Sequence, residues 1–258
     1  MNKETKNKIE TSILQEWDID EDYFTEVVRE NPSLRGMILG YIAEKKLKDL
    51  FISKAQTDNH RKDDDHDREK KGDLTLTYKG EEIIIEVKSL QTNSIQIQLS
   101  DGSWIPMITK VKAGRKPSSG FKKDGKPKIG AIIYKYVPNP DYLALSNEYR
   151  KNAKYTGAFQ CDASDKREII LDNGEKVSTT LLKIGEFDVI AAGIFSFRNK
   201  WEFGFALNED LPRSDRYGEN SSHLIASLVS ITYPLQAPFV SDPIEVFEKI
   251  IEKRKASK

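Results

Sequence analysis

Asp73, Glu86 and Lys88 have the residue types and spacing to act on a phosphate ester. In KKGDLTLTYKGEEIIIEVKSL (Lys70–Leu90), Asp73 opens one apolar run, Lys79-Gly80 marks a turn, and Glu86 and Lys88 close a second run containing Ile83-Ile84-Ile85. Charges at the end of so apolar a run are costly unless they are paired or bind something. With Lys79-Gly80 as a two-residue hairpin loop, Tyr78 pairs with Glu81, and stepping outward brings Asp73 opposite Glu86. Directly opposed carboxylates on a sheet repel. Glu86 and Lys88, two residues apart, share a face, while Ile83, Ile85 and Val87 point to the other face and into a core. Two carboxylates and an amine thus converge at one end of a hairpin. A divalent cation removes the repulsion, and hard oxygen ligands suit Mg²⁺, with Mn²⁺ as a substitute. Metal and lysine together can activate and place a water beside a phosphodiester.

The tripeptide Glu-x-Lys alone carries no signal, since it occurs at Glu4, Glu44, Glu69 and Glu86. Only the copy at Glu86 sits in an apolar strand with an aspartate expected opposite it. The competing reading is a solvated hairpin end whose polar face happens to contain Glu86 and Lys88. A third acid is Glu44. Ser33 is a candidate N-cap for a helix to about Phe51, on which Met37, Tyr41, Glu44 and Phe51 share one stripe. Glu44 is the lone carboxylate of that otherwise apolar face.

The rest of the chain must supply the frame. Residues 8–30 read as helical, interrupted near Trp17-Asp18, with Pro32 as a stop. Residues 53–71 are polar throughout and read as a loop. Gln96–Leu99 and Ile129–Val137 are strand-like. Asp141–Lys154 reads as a short helix, and Asn173-Gly174 is a strong hairpin turn. Phe187–Phe195 and Trp201–Leu207 read as buried strands, and residues 222–231 fit either helix or strand. Asp242-Pro243 is an N-cap and first helical residue for an amphipathic helix to about Lys255. The order predicts an α/β or α+β fold, residues 1–258 forming one domain around a central mixed sheet.

These residues resemble the PD-(D/E)XK nuclease superfamily, the restriction-endonuclease-like fold. The resemblance lies in GYIAEKKLKDLF, KKGDLTL and IIIEVKSL and covers core motifs within residues 33–90. It implies a central mixed sheet flanked by helices, with inserted loops and extra strands, and a short first core strand near Phe51-Ile52. It implies that Glu44 is the acid of the first core helix and Asp73 the metal-binding aspartate of the second strand. Glu86 and Lys88 become the acid and lysine of the third. Gly72 stands where the motif's proline would be. The implied activity is Mg²⁺-dependent hydrolysis of DNA phosphodiesters, as in a type II restriction enzyme or a related prokaryotic defence nuclease. Two alternatives stay open: a non-catalytic DNA-binding or assembly module on the same fold, and a nuclease subunit of a larger defence or repair complex. Duplex cleavage by so compact a fold also makes a homodimer an expectation.

Lys+Arg and Asp+Glu both total 41, so net charge identifies no partner and its distribution must. A basic insertion at about residues 100–128 carries KVKAGRKPSSGFKKDGKPK (Lys110–Lys128), with eight basic residues against one acid. Lys110, Lys112, Arg115, Lys116, Lys122 and Lys123 are the candidate nucleic-acid contacts. Gln160 and Arg167, in AFQCDASDKR, have the donors to read base edges, although a plain turn is the preferred reading. The acidic run Asp63–Asp67 reads as a solvated charge cluster. The three histidines fit no zinc spacing, and the single Cys161 excludes an intrachain disulfide and fits a reducing cytoplasm. No apolar run is long enough to span a membrane, and MNKETKNKIE lacks the apolar core of a secretory signal. No nucleotide-binding motif or nucleophile elbow is present.

Overall fold

The computed structural model describes residues 12–52, 57–62, 72–116, 120, 126 and 130–256. Asp63–Asp67, Phe121, Lys122, Lys123 and Lys128 lie outside the described residues. The chain divides into two compact units, Met1–Ile42 and Ala43–Lys258.

The described residues of the first unit are mainly helical. Helix α1 (Ile13–Glu16) is closed by a reciprocal capping box between Ser12 and Gln15. Helix α2 (Glu21–Glu30) starts at Asp20, whose carboxylate accepts the Tyr23 N–H at 2.7 Å. The break between them falls at Trp17-Asp18, as expected, with Asp18 at φ 53°. Helix α3 (Pro32–Leu47) begins on Pro32 rather than after it, because a first-turn residue has no intrahelical use for its N–H. Its last turns enter the second unit and widen into a π-helical segment, Lys48–Ile52. The expected apolar stripe is shifted. Met37 and Tyr41 are 59% and 51% exposed, whereas Ala43 and Leu47, four residues apart, are buried.

The second unit is mixed α and β. Strands β1 (Thr57–Lys62), β2 (Leu74–Tyr78), β3 (Glu81–Ser89), β4 (Gln96–Gln98) and β5 (Trp104–Pro106) come first. Strands β6 (Ile108–Arg115) and β7 (Ile132–Pro138) follow, then helices α4 (Pro140–Ala144) and α5 (Asn147–Asn152). Strands β8 (Tyr155–Gln160), β9 (Asp162–Ile170), β10 (Lys176–Leu181) and β11 (Val189–Gly193) lead to helix α6 (Phe195–Arg198). Strands β12 (Phe203–Leu207) and β13 (Leu228–Tyr233) precede helix α7 (Pro243–Ala256).

The central sheet runs β1-β2-β3-β11-β12 and is mixed, since β3 and β11 are parallel and the other pairs antiparallel. On one face, Ile83, Ile85 and Val87 of β3 join Leu74, Leu76, Val189 and Phe205 against Ala43, Leu47 and the α7 residues Val246, Phe247 and Ile250. Each fully buried aliphatic side chain there contributes about 1.5–3 kcal/mol. Asp242 caps α7 by accepting the Ile244 N–H at 2.9 Å, as its sequence predicts. On the other face, Ile190, Ala192 and Ala206 meet a second sheet of order β13-β8-β4-β5 through Ile95, Ile97, Tyr155, Phe159 and Ile231. Gly204 lets the two sheets approach, because a Cβ there would lie 2.7 Å from Ile231 Cδ1.

Several expectations need correction. Residues 57–62 are a strand, not loop. They pair with β2 as the sheet edge, where main-chain bonds suffice and polar residues are the usual composition. Phe51-Ile52 is the end of the π-helical segment rather than a first strand. Within the basic insertion, Ile108–Arg115 forms a two-stranded ribbon with β7. Asp141–Lys154 splits into α4 and α5 because Ser146 caps a new helix at Tyr149 N–H. Residues 228–233 resolve as strand.

Candidate active site

The Lys79-Gly80 turn has both residues at positive φ, 50° and 82°, which suits a tight hairpin. It sets Leu74 opposite Ile85 and Tyr78 opposite Glu81, the register expected from the sequence. One step beyond the ladder, the Asp73 N–H donates to Ile85 O at 2.9 Å, and Asp73 Oδ2 accepts the Val87 N–H at 2.7 Å. Asp73 therefore holds both chain neighbours of Glu86. Gly72 makes this possible. It sits at φ 74°, and a Cβ there would lie 2.6 Å from Ile84 Cγ2 and 3.0 Å from Ile85 O. Proline is locked near φ −65° and cannot take this place, which accounts for glycine where the motif has proline.

Glu86 is only 8% exposed, and its carboxylate forms an ion pair with Lys88 Nζ. Across the parallel pair, Glu86 lies beside Ile190 and Lys88 beside Ala192, so both charges have an apolar neighbour on that side. Burial pushes the Asp73 carboxyl up to about 7, and the Glu86 charge pushes the same way. Lys88 and the Val87 N–H pull it back, while Glu44 raises it further. Burial works against the Lys88 charge, but the Glu86 and Asp73 carboxylates outweigh it and hold the amine above its ordinary value. Asp73, Glu86 and Lys88 are thus one electrostatic group.

Glu44 is half-buried on α3, whose neighbouring side chains Ala43 and Leu47 pack on the face of the sheet opposite Glu86 and Lys88. Its charge also raises the Asp73 carboxyl, less than burial and Glu86 do. Among the described residues, no three His, Cys, Asp or Glu side chains converge as ready metal ligands. Glu86 is turned onto Lys88, and Asp73 onto the main chain. Two mutually repelling carboxylates still fit Mg²⁺, which binds through one or two carboxylates and keeps several waters.

Comparisons with family models, with curated proteins and with solved structures find no match.

Beneath this group lies Cys161, fully buried at the end of β8. Burial pushes its thiol up to about 12 against the nearby Lys88 charge, so it is an inert thiol at neutral pH. Gln160 is engaged with Gln91 and Asp162 at 2.9 and 2.8 Å. Arg167 forms a two-pronged pair with Glu186, one prong at 2.6 Å, and Glu186 also accepts the Lys183 N–H at 2.8 Å. Both side chains therefore already have protein partners.

The ribbon β6–β7 places Lys110, Lys112, Arg115 and Lys116 in one ordered region. Lys110 is opposite Tyr136 and Lys112 opposite Tyr134, so four side chains share a face. Lys110 Nζ lies 4.5 Å from the centre of the Tyr134 ring, and both tyrosines are about half exposed. No Asp or Glu occurs in residues 108–116 or 130–138. The two tyrosines were not among the candidate contacts. Their alternation in IIYKYVP carried the signal, because period two puts both on the face of their lysine partners. The ribbon is tied to the segment that follows β3. Asn93 Nδ2, five residues beyond Lys88, donates to Tyr136 Oη at 3.3 Å.

Proposed function

We propose that this chain is a metal-dependent nuclease of the restriction-endonuclease-like fold, hydrolysing DNA phosphodiesters. The observation that carries the reading is the buried cluster of Asp73, Glu86 and Lys88 at the end of a hairpin in a mixed sheet. The basic, acid-free ribbon fastened five residues downstream supplies a surface for a polyanion at the same end of β3.

Asp73 and Glu86 would hold Mg²⁺, which when bound lowers the pKa of a water and neutralises charge on the phosphate. Lys88 stays protonated through neutral pH, so it orients the attacking water and stabilises developing negative charge rather than acting as a base. Glu86, ion-paired with Lys88 in this structure, would exchange that pairing for the cation, and the Lys88 amine would then be left to face the phosphate. Glu44 supports the negative potential at Asp73. Lys110, Lys112, Arg115 and Lys116 grip the backbone. Cutting both strands of a duplex takes two such sites, the reason to expect a dimer.

The self-contained Glu86–Lys88 pair also suits a second reading, a DNA-binding module that never cleaves. Incubation with plasmid DNA and Mg²⁺, followed by mapping of the ends, separates the two. The nuclease reading expects cuts that EDTA abolishes and that Asp73→Ala or Lys88→Ala reduces by about 10²–10⁴-fold. DNA retention without any cut, across Mg²⁺ and Mn²⁺, supports the module.

A further inference from the structure

The outer face of the second sheet carries a cavity of about 710 Å³ that the hydrolytic site does not use. Strand alternation builds it. Ile97, Tyr155 and Ile231 point inward to the core, so Gln96, Gln98, Thr156 and Thr232 point outward. Register then aligns them. Thr232 pairs with Thr156, Thr156 with Gln96, and Gln96 with Pro106, a straight row across all four strands. One step along, Gln98 stands opposite Trp104, whose indole is 40% exposed.

We propose that this cavity receives one unpaired base of the nucleic-acid substrate, stacked on Trp104 and hydrogen-bonded by Gln96 and Gln98. Three features select this occupant. A Gln side chain offers both donors and an acceptor, the pair needed to meet a base edge; Gln98 gives one Nε2 hydrogen to Gly102 O at 3.2 Å and keeps the second and its Oε1. An exposed indole offers a flat apolar face, and every base has one to match. The wall holds Lys154 and no Asp or Glu, so a phosphate attached to the base is attracted and not repelled. The base must be unpaired, because within a duplex both its faces are covered by stacking neighbours.

Chain continuity points the same way. The strand bearing Trp104 ends at Pro106, and the basic ribbon begins at Ile108. The base of the ribbon, where Ile108 pairs with Pro138, thus follows directly on the strand that carries Trp104. Strand β8 runs from Tyr155, at the cavity, to Gln160, beside the Cys161 that feels Lys88. Five steps of strand span about 17 Å, a separation of a few nucleotides.

The inference takes the identity of the polymer from the nuclease reading, and its test keeps the two apart. The full chain in EDTA is titrated with a labelled single-stranded deoxyoligonucleotide of about 12 nucleotides, and with an abasic backbone of equal length. The expected result is binding of the base-bearing strand at least ~10-fold tighter than the abasic one. Trp104→Ala erases that preference with abasic binding unchanged, and Trp104→Phe keeps it. Should Trp104→Ala misfold, Gln96→Leu with Gln98→Leu reports the same loss. No base preference in the parent chain, or a full preference in Trp104→Ala, overturns the proposal. Mg²⁺-dependent cleavage with an unaltered preference in Trp104→Ala removes the cavity and leaves the nuclease. A Trp104-dependent preference without cleavage keeps the cavity and removes the nuclease.

Discussion

Asp73 holds Glu86 from both sides: its N–H bonds to Ile85 O at 2.9 Å, and its carboxylate accepts the Val87 N–H at 2.7 Å. One side chain thereby fixes the backbone of the strand that carries the second acid and the lysine. Under the proposed nuclease function, preorganisation of this kind would lower the reorganisation needed at the moment of reaction.

The first prediction concerns pH. The Asp73 carboxyl titrates at about 7 in the folded chain, raised by burial and then by Glu86, against about 3.9 when unfolded. Between those values the folded state binds a proton that the unfolded state has lost, so stability falls as pH rises from about 4 to about 7. Above that range the full cost is present. Thermal melts in EDTA should show wild type losing several degrees between pH 5 and pH 8. Asp73→Asn, which carries no charge, should show much less change. Mg²⁺ at pH 8 should raise the melting temperature of wild type and not of Asp73→Asn.

The second prediction separates charge from packing at Lys88. Its amine and the Glu86 carboxylate are 21% and 11% exposed, so removing one leaves the other buried without its counter-ion. Lys88→Ala should cost about 2–4 kcal/mol in urea unfolding. Adding Glu86→Gln should recover most of that stability and none of the cleavage. Additive losses in the double mutant would show that the pair is not energetically coupled.

Much of this local geometry was legible in the sequence. The hairpin register follows from Lys79-Gly80 and the alternation of Ile83, Ile85 and Val87, which are signals within one short stretch. The α7 cap at Asp242 is local in the same way. What stayed hidden depends on distant partners. Thr57–Lys62 has no strand-like apolar pattern and becomes a strand only because β2 offers a free edge. Ile108–Arg115 gave no strand signal of its own because its partner, Ile132–Pro138, lies beyond a Gly- and Lys-rich stretch. Residues 33–52 concealed their buried stripe because Met37 and Tyr41 are as apolar as the positions that pack.

The third prediction tests Gly72. Alanine there must hold φ near 74° and place its Cβ 2.6 Å from Ile84 Cγ2, so it should destabilise by about 1–3 kcal/mol. Gly72→Pro, which restores the residue of the resembled motif, should be worse, because its ring forbids the positive φ. Both variants should lose cleavage in proportion to the displacement of Asp73. A Gly72→Pro chain of native stability and full activity would refute the account of this turn.

The fourth prediction concerns Arg167, whose sequence context allowed a role in reading bases. Its guanidinium is committed to Glu186, which is 8% exposed and also accepts the Lys183 N–H. Arg167→Ala strands a buried carboxylate and should cost roughly 2–3 kcal/mol. At a temperature where the variant remains folded, its preferred cleavage sequences should match those of wild type. A changed preference at one base position would return Arg167 to the nucleic-acid interface.

The last prediction addresses the ribbon. Lys110 and Lys112 share a face with Tyr136 and Tyr134, in a region with no acid to offset them. Phosphate contacts release counterions, so each lysine that touches the backbone adds nearly one unit to the salt dependence of binding. Lys110→Ala with Lys112→Ala should weaken DNA binding at low salt about tenfold or more, uniformly across sequences, and flatten the log–log salt slope by about 2. The same pair of substitutions should leave the melting temperature almost unchanged, since both side chains are exposed. Tyr134→Ala should behave differently, lowering affinity with little change in slope, because a ring carries no charge to release ions. A salt slope untouched by the lysine substitutions would place the phosphate backbone elsewhere on the protein.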